Sequence, residues 1–359
     1  MTRRVRITVP CSTANIGPGF DVLGASLSLY LTLDVSWLDG PTPAATSVPV
    51  TPYAQVTYSG EGTKDVSLDP SQNLITRTAL YVLRSQGVMA FPAQLSIHAH
   101  NDIPLGRGLG SSGAAVVAGV MLGDVLGGFN MSKDRMLDYC LMVERHPDNV
   151  AAALIGGFVA SYLRELSPED TEAKSIPLSE TLDHPMMGKR DKPPQPPHGI
   201  GHYIKLNWQP EIKAIAIIPK FEVATAKARA VLPTSYDRPD VVFNFQRLAV
   251  LTSALGRSPP DADLIWQAMQ DKIHQPYRKH LIPGLPEVFA TITPKTYPGF
   301  LGVCLSGAGP TILALAVDNF EQIAANVQQV LKNTGGIDST WTLLELEARG
   351  AHVQDLLPQ

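Results

Sequence analysis

Four glycines and two serines crowd residues 104–115, PLGRGLGSSGAA, between an alternating stretch (Leu95, Ile97, Ala99) and an apolar run that reaches Leu126. Strand, glycine loop and helix start in this order commit the region to a mixed α and β unit. The free N–H groups and positive dipole end of the helix point into a loop with no side chain in the way. Such a loop holds an anion, and phosphate is the first candidate.

Two familiar patterns compete for it. Gly108, Gly110 and Gly113 satisfy the dinucleotide spacing, but the helix runs into Gly127, Gly128, Phe129 and Asn130 rather than into a second strand ending in an acid. The Walker pattern requires a lysine where Ala114 stands. Ser111 and Ser112 place hydroxyls at the helix start, suited to phosphate or magnesium; the plain alternative is a serine N-cap.

A chain of 359 residues has length for two domains with adequate cores. A net charge of −4 excludes a nucleic-acid or anionic-membrane surface as the basis of function, so phosphate affinity is local. Cys11, Cys140 and Cys304 are too widely spaced for a zinc site and odd in number, which predicts buried thiols in a cytoplasmic protein. No stretch is long and apolar enough to span a bilayer.

The expected order is a strand at residues 1–10, a polar turn over 10–24, a strand carrying Leu27, Leu29, Leu31, Leu33 and Val35, a helix near 74–86, then the glycine loop. A polar, proline-rich stretch divides the chain into residues 1–165, an insertion or linker over 166–204, and residues 205–359. The second part reads as strands near 212–218, 302–305 and 311–317, with helices near 225–231, 241–255 and 320–331.

Three further clusters carry polar chemistry. Residues 12–24, STANIGPGFDVLG, offer Asn15 and Asp21 from what could equally be a structural turn. A helix over 134–144 is apolar on nearly every side, so Asp138 is partly buried and needs Arg135, Arg145 or a magnesium ion as partner; His146, Pro147, Asp148 and Asn149 follow it. In the second part, Thr225 and Arg229 share a helix face, and Arg278 lies in HQPYRKHLIPG; two arginines can fork onto a carboxylate or phosphate. Residues 305–311, LSGAGPT, form a tight turn able to approach the glycine loop.

Taken in chain order, STANIGPGFDVLG, PLGRGLGSSGAA, HPDN, VATAKARAVLP and LSGAGPT resemble the GHMP small-molecule kinases, and among them the branch acting on homoserine. The resemblance implies an α+β, two-domain fold, with an N-terminal domain like the second domain of ribosomal protein S5 and a ferredoxin-like C-terminal domain. It implies ATP and Mg2+, phosphorylation of L-homoserine for threonine synthesis, and a homodimer. By position, Pro104, Gly106, Arg107, Gly108, Leu109, Gly110, Ser111, Ser112 and Gly113 would wrap the phosphates, Asn73 would lie near the adenine, and Ser112 with Asp138, where the family often has glutamate, would hold the metal. Arg229 and Arg278 would take the substrate carboxylate and Asp21 its ammonium group, while Asn15, Asn149 and Thr225 would surround the hydroxyl. His146 and Asp148 are both open as proton acceptors, since a loose phosphoryl transition state needs positioning more than a strong base. A kinase for another small alcohol, or a regulator of the same fold that binds nucleotide without catalysis, are the competing readings.

Overall fold

The computed structural model describes residues 2–38, 54–171 and 193–357. The centre of the expected insertion, residues 172–192, lies outside them. β1 (Thr2–Asn15) pairs antiparallel with β2 (Gly19–Leu38), Val5, Ile7 and Val9 facing inward at the expected period of two. The turn expected over residues 10–24 shrinks to the residues between these strands. Ser12 and Thr13 stay in the strand, buried, because distant groups satisfy them: Ser12 N donates to Leu109 O (3.2 Å), and Thr13 Oγ1 lies 2.8 Å from Ser306 Oγ.

β3 (Gln55–Gly60) and β4 (Ser96–Asn101) run parallel, and β4 pairs with β2. β5 (Phe158–Leu163) joins the N-terminal part of β2, opposite β1 and before the stretch that pairs with β4, and carries β6 (Gly201–Leu206). Four helices cover this sheet: α1 (Leu74–Ser85), α2 (Ser111–Gly127), α3 (Lys133–Val143) and α4 (Pro147–Ile155). α2 approaches α1 closely enough that a Cβ on Gly119 or Gly123 would lie 2.6 Å from Thr78 or 2.7 Å from Val82.

The second sheet contains β7 (Lys213–Pro219), β8 (Phe300–Leu305), β9 (Ile312–Ala316) and β10 (Ser339–Leu344), in the order β10-β7-β9-β8. β7, β8 and β9 are buried on both faces. Ala214, Ala216, Leu313 and Leu315 join the core of the first sheet, while Ile215, Ile217, Ile312 and Ala314 form a second core with helices that include α5 (Thr225–Ala230) and α10 (Phe320–Gly335). α6 (Arg238–Ala254), α7 (Ala262–Ala268), α8 (Gln275–Arg278) and α9 (Leu285–Thr291) lie between β7 and β8 in sequence.

The sheets are not contiguous blocks of sequence. β6 and a final strand, β11 (His352–Asp355), belong to the first sheet, completing the edges of β5 and β1. The three cysteines are buried, as expected. Among the described residues no helix is long and apolar enough to cross a membrane.

Candidate active site

The glycine loop adopts the backbone its composition demands. Gly106, Gly108 and Gly110 have φ of +63°, +82° and +69°. A Cβ on Gly108 would collide with the Ser306 carbonyl, and one on Gly110 with the Ser12 hydroxyl. Gly110 is the N-cap of α2 and no side chain caps that end, so the first-turn N–H groups are left for an anion. The serines therefore do not cap: Ser112 Oγ donates to Glu144 Oε2 at 3.0 Å.

The loop is braced from the second sheet. Ser306 Oγ donates to Gly108 O (2.6 Å), Thr311 N to Arg107 O (3.2 Å), and Arg107 Nη1 to Pro219 O (2.6 Å). The glycine turn at 305–311 thus meets the first loop.

A cavity of about 210 Å3 opens over it. Around it stand Asn15, Asp21, Gly106, Arg107, Gly108, Gly110, Ser111, Ser112, Gly113, His146, Asn149, Thr225, Arg229 and Arg278, together with Glu144 and Asp148. Pro104 and Leu109 are not among its lining residues; Leu109 is buried beneath. An adjoining recess of about 240 Å3 is walled by Leu31, Tyr58, Val66, Leu105 and Asn73 and shares Gly106, Ser111 and Ser112 with the cavity. The Asn73 amide is occupied, accepting from Ile75 N (3.0 Å) as the cap of α1 and donating to Ser67 O (2.8 Å).

Asp138 lies away from the cavity. Its carboxylate is 2% exposed, pairs with Arg135 Nη1 at 3.1 Å, and accepts from the N–H groups of Gly199, Ile200 and Gly201 at 2.9–3.4 Å. It anchors the chain entering β6 and does not line the cavity. Glu144, just past the end of α3, stands beside Ser112, and its Oε1 lies 3.0 Å from His146 Nδ1, an interaction that raises the imidazole pKa. Sequence reasoning missed it, although it stands two residues before the HPDN block.

Arg229 forks onto Asp21, Nη2 to Oδ1 at 2.8 Å and Nη1 to Oδ2 at 3.2 Å. Asp21 N donates to Asn15 Oδ1 (3.1 Å), and Asn15 Nδ2 donates to Gly307 O (2.8 Å). Asn15, Ile16 and Asp21 all have positive φ, so this turn stores backbone strain where it meets the cavity. Asn149 Oδ1 accepts from Ser12 Oγ at 3.0 Å, and among the described residues its Nδ2 donates to no protein group. Asp148 is buried, and desolvation with nearby Asp21 pushes its carboxyl up to about 7. Burial and the neighbouring Arg229 bring the Arg278 guanidinium down to about 10.

Among the described residues no cluster of three or more His, Cys, Asp or Glu side chains could hold a metal. Ser112 and Glu144 nevertheless supply two hard oxygens beside the anion loop, the donor set of a cation completed by phosphate oxygens.

An uncapped anion loop and a forked acid–arginine pair lining one cavity fit the class of small-molecule kinases. Residues 73–157 match the family described as GHMP kinases N terminal domain. The homoserine kinase of Saccharomyces cerevisiae is 55% identical over 357 residues, 99% of this chain and 99% of that protein. That of Candida albicans is 51% identical, covering 97% of this chain and 98% of its own. The crystal structure of homoserine kinase from Cytophaga hutchinsonii has a TM-score of 0.71 at 26% identity, covering 98% of this chain and 97% of that one. The chain belongs to the homoserine kinase family; it is an enzyme with the GHMP kinase fold, and that family implies use of ATP.

Proposed function

We propose that the chain transfers the γ-phosphoryl group of ATP to the side-chain hydroxyl of L-homoserine, giving O-phospho-L-homoserine for threonine synthesis. The observation that carries this reading is the forked Asp21–Arg229 pair in the same cavity as the uncapped glycine loop. An amino acid carries one carboxylate and one ammonium group, the charges these two residues complement. In this reading the substrate carboxylate takes Arg229 and Arg278, and its ammonium group lies between Asp21 and Asp148. Burial raises Asp148 most, and the further repulsion from Asp21 becomes attraction when the two carboxylates share a cation.

Asn15, Asn149 and Thr225 bracket the hydroxyl; Asn149 Nδ2 donates to no protein group among the described residues, and a Cβ on Gly113 would lie 3.3 Å from the Asn149 Cβ. His146 holds Glu144 in place. The phosphates lie along residues 106–113, and the base occupies the recess walled by Asn73. Ser112 and Glu144 would hold Mg2+, which when bound neutralises phosphate charge. The cytoplasmic location and a homodimer belong to the same proposal.

Incubation with ATP, Mg2+ and L-homoserine, followed by 31P NMR, tests it. A new phosphomonoester signal growing as the γ-phosphate signal falls, only when L-homoserine is present, is the expected result. Loss of γ-phosphate to inorganic phosphate alone would overturn the acceptor assignment.

A further inference from the structure

Arg278 is 2% exposed and reaches the cavity from α8, four residues after the N-cap of that helix, His274. The histidine is 0% exposed and lies between this arginine and the turn joining β1 to β2. Its Nε2 is 2.8 Å from Gly17 O; a carbonyl can only accept, so Nε2 carries the hydrogen. Burial lowers the imidazole pKa although Asp271 Oδ2 lies 3.5 Å from Nε2, and a guanidinium N–H can only donate, so Nδ1, with the hydrogen on Nε2, is the acceptor that faces Arg278. Arg278 Nη1 lies 3.3 Å from that atom. The imidazole also stacks on Phe20, centroids 5.3 Å apart at 22°. The same phenyl ring lies 5.0 Å from the Arg278 guanidinium carbon and 5.5 Å from that of Arg229. Arg278 Nε donates to Ala228 O (3.1 Å) and Nη1 also reaches Gly307 O (3.3 Å), while Nη2 has no partner among the described residues.

We infer that His274 is a positioning residue for carboxylate recognition: its Nδ1 acceptor and its stack on Phe20 fix Arg278 so that the remaining guanidinium nitrogen is kept for the carboxylate of the amino-acid substrate. This rests on the amino-acid kinase reading given above. A leucine at 274 fills the volume but offers no acceptor, and the guanidinium then turns among its other partners. Asparagine places an oxygen near the Nδ1 position and preserves the arginine contact. Glutamine reaches the Nε2 position and preserves only the link to Gly17.

Steady-state kinetics of His274→Leu, His274→Asn and His274→Gln test this, alongside the unchanged chain. Loss of a charge-assisted contact predicts that His274→Leu raises KM for L-homoserine about 10- to 100-fold, with kcat and KM for ATP altered by less than about threefold. His274→Asn recovers most of the KM and His274→Gln does not. The inhibition constant of 3-aminopropan-1-ol, which has the amine and hydroxyl without the carboxylate, stays the same in all four proteins. An unchanged homoserine KM in His274→Leu, rescue by glutamine but not asparagine, or equal weakening of 3-aminopropan-1-ol would each overturn the inference. Absence of homoserine turnover by the unchanged chain would instead overturn the kinase reading on which it rests. Should His274→Leu fail to fold, the contrast between the asparagine and glutamine variants decides alone.

Discussion

Asp148→Asn separates what the fold tolerates from what the site needs. The carboxyl is 1% exposed, and burial with the neighbouring Asp21 moves it from 3.8 to about 7. Between those values the folded chain keeps a proton that the unfolded chain releases. The associated stabilisation is complete below the unfolded value and is lost as pH rises through about 7, above which a buried charge remains. The full displacement corresponds to on the order of 4 kcal/mol. Asparagine keeps an Oδ1 acceptor for the Asn149 N–H, 2.9 Å away, and has nothing to ionise. Urea unfolding without ligand should therefore show a stability gap in favour of Asp148→Asn that widens by a few kcal/mol between about pH 5 and about pH 7.5, then levels. Turnover moves the other way, with kcat/KM for homoserine falling about 100-fold as the ammonium group loses one of two carboxylates. In the unchanged protein kcat/KM rises with pH through about 7, and the corresponding limb of kcat lies lower because the bound ammonium group favours the charged carboxylate. A pH-independent stability gap, or a kcat/KM that falls across neutrality, would refute the reasoning.

Two other substitutions separate metal binding from folding. Glu144→Gln removes the charge beside Ser112 and should raise the Mg2+ concentration giving half-maximal rate at least about tenfold while shifting the melting temperature little, as read from Mg2+ titrations and thermal scans. Asp138→Ala leaves Arg135 and three backbone N–H groups without their acceptor and should destabilise by about 3–5 kcal/mol in denaturant unfolding, with an unaltered Mg2+ requirement in the folded fraction.

What the sequence disclosed depended on how far apart the interacting groups lie. The anion loop was legible because strand, glycines and helix start fall within one short run, and each glycine meets a steric need the residue type announces. Arg229 and Asp21 were named from chemistry, but their forked pairing joins distant parts of the chain and only the fold could reveal it. Where Asp138 points could not be read from the sequence for a physical reason: an acid among apolar neighbours signals a buried partner without saying which. Its partners proved to be N–H groups at residues 199–201, beyond the proline-rich stretch. The polar strand end at Ser12 and Thr13 read as turn because its partners come from residues 109 and 306. The strands β6 and β11 complete edges of the first sheet, a relation no local periodicity encodes.

The most direct test is ADP release by the purified protein with MgATP, comparing L-homoserine with D-homoserine, L-serine, mevalonate and galactose at matched concentrations. The account predicts release specific to L-homoserine, since only it sets a hydroxyl at the loop while its carboxylate and ammonium group meet the arginines and the two aspartates. Release driven equally by mevalonate or galactose, or by no acceptor at all, would contradict it.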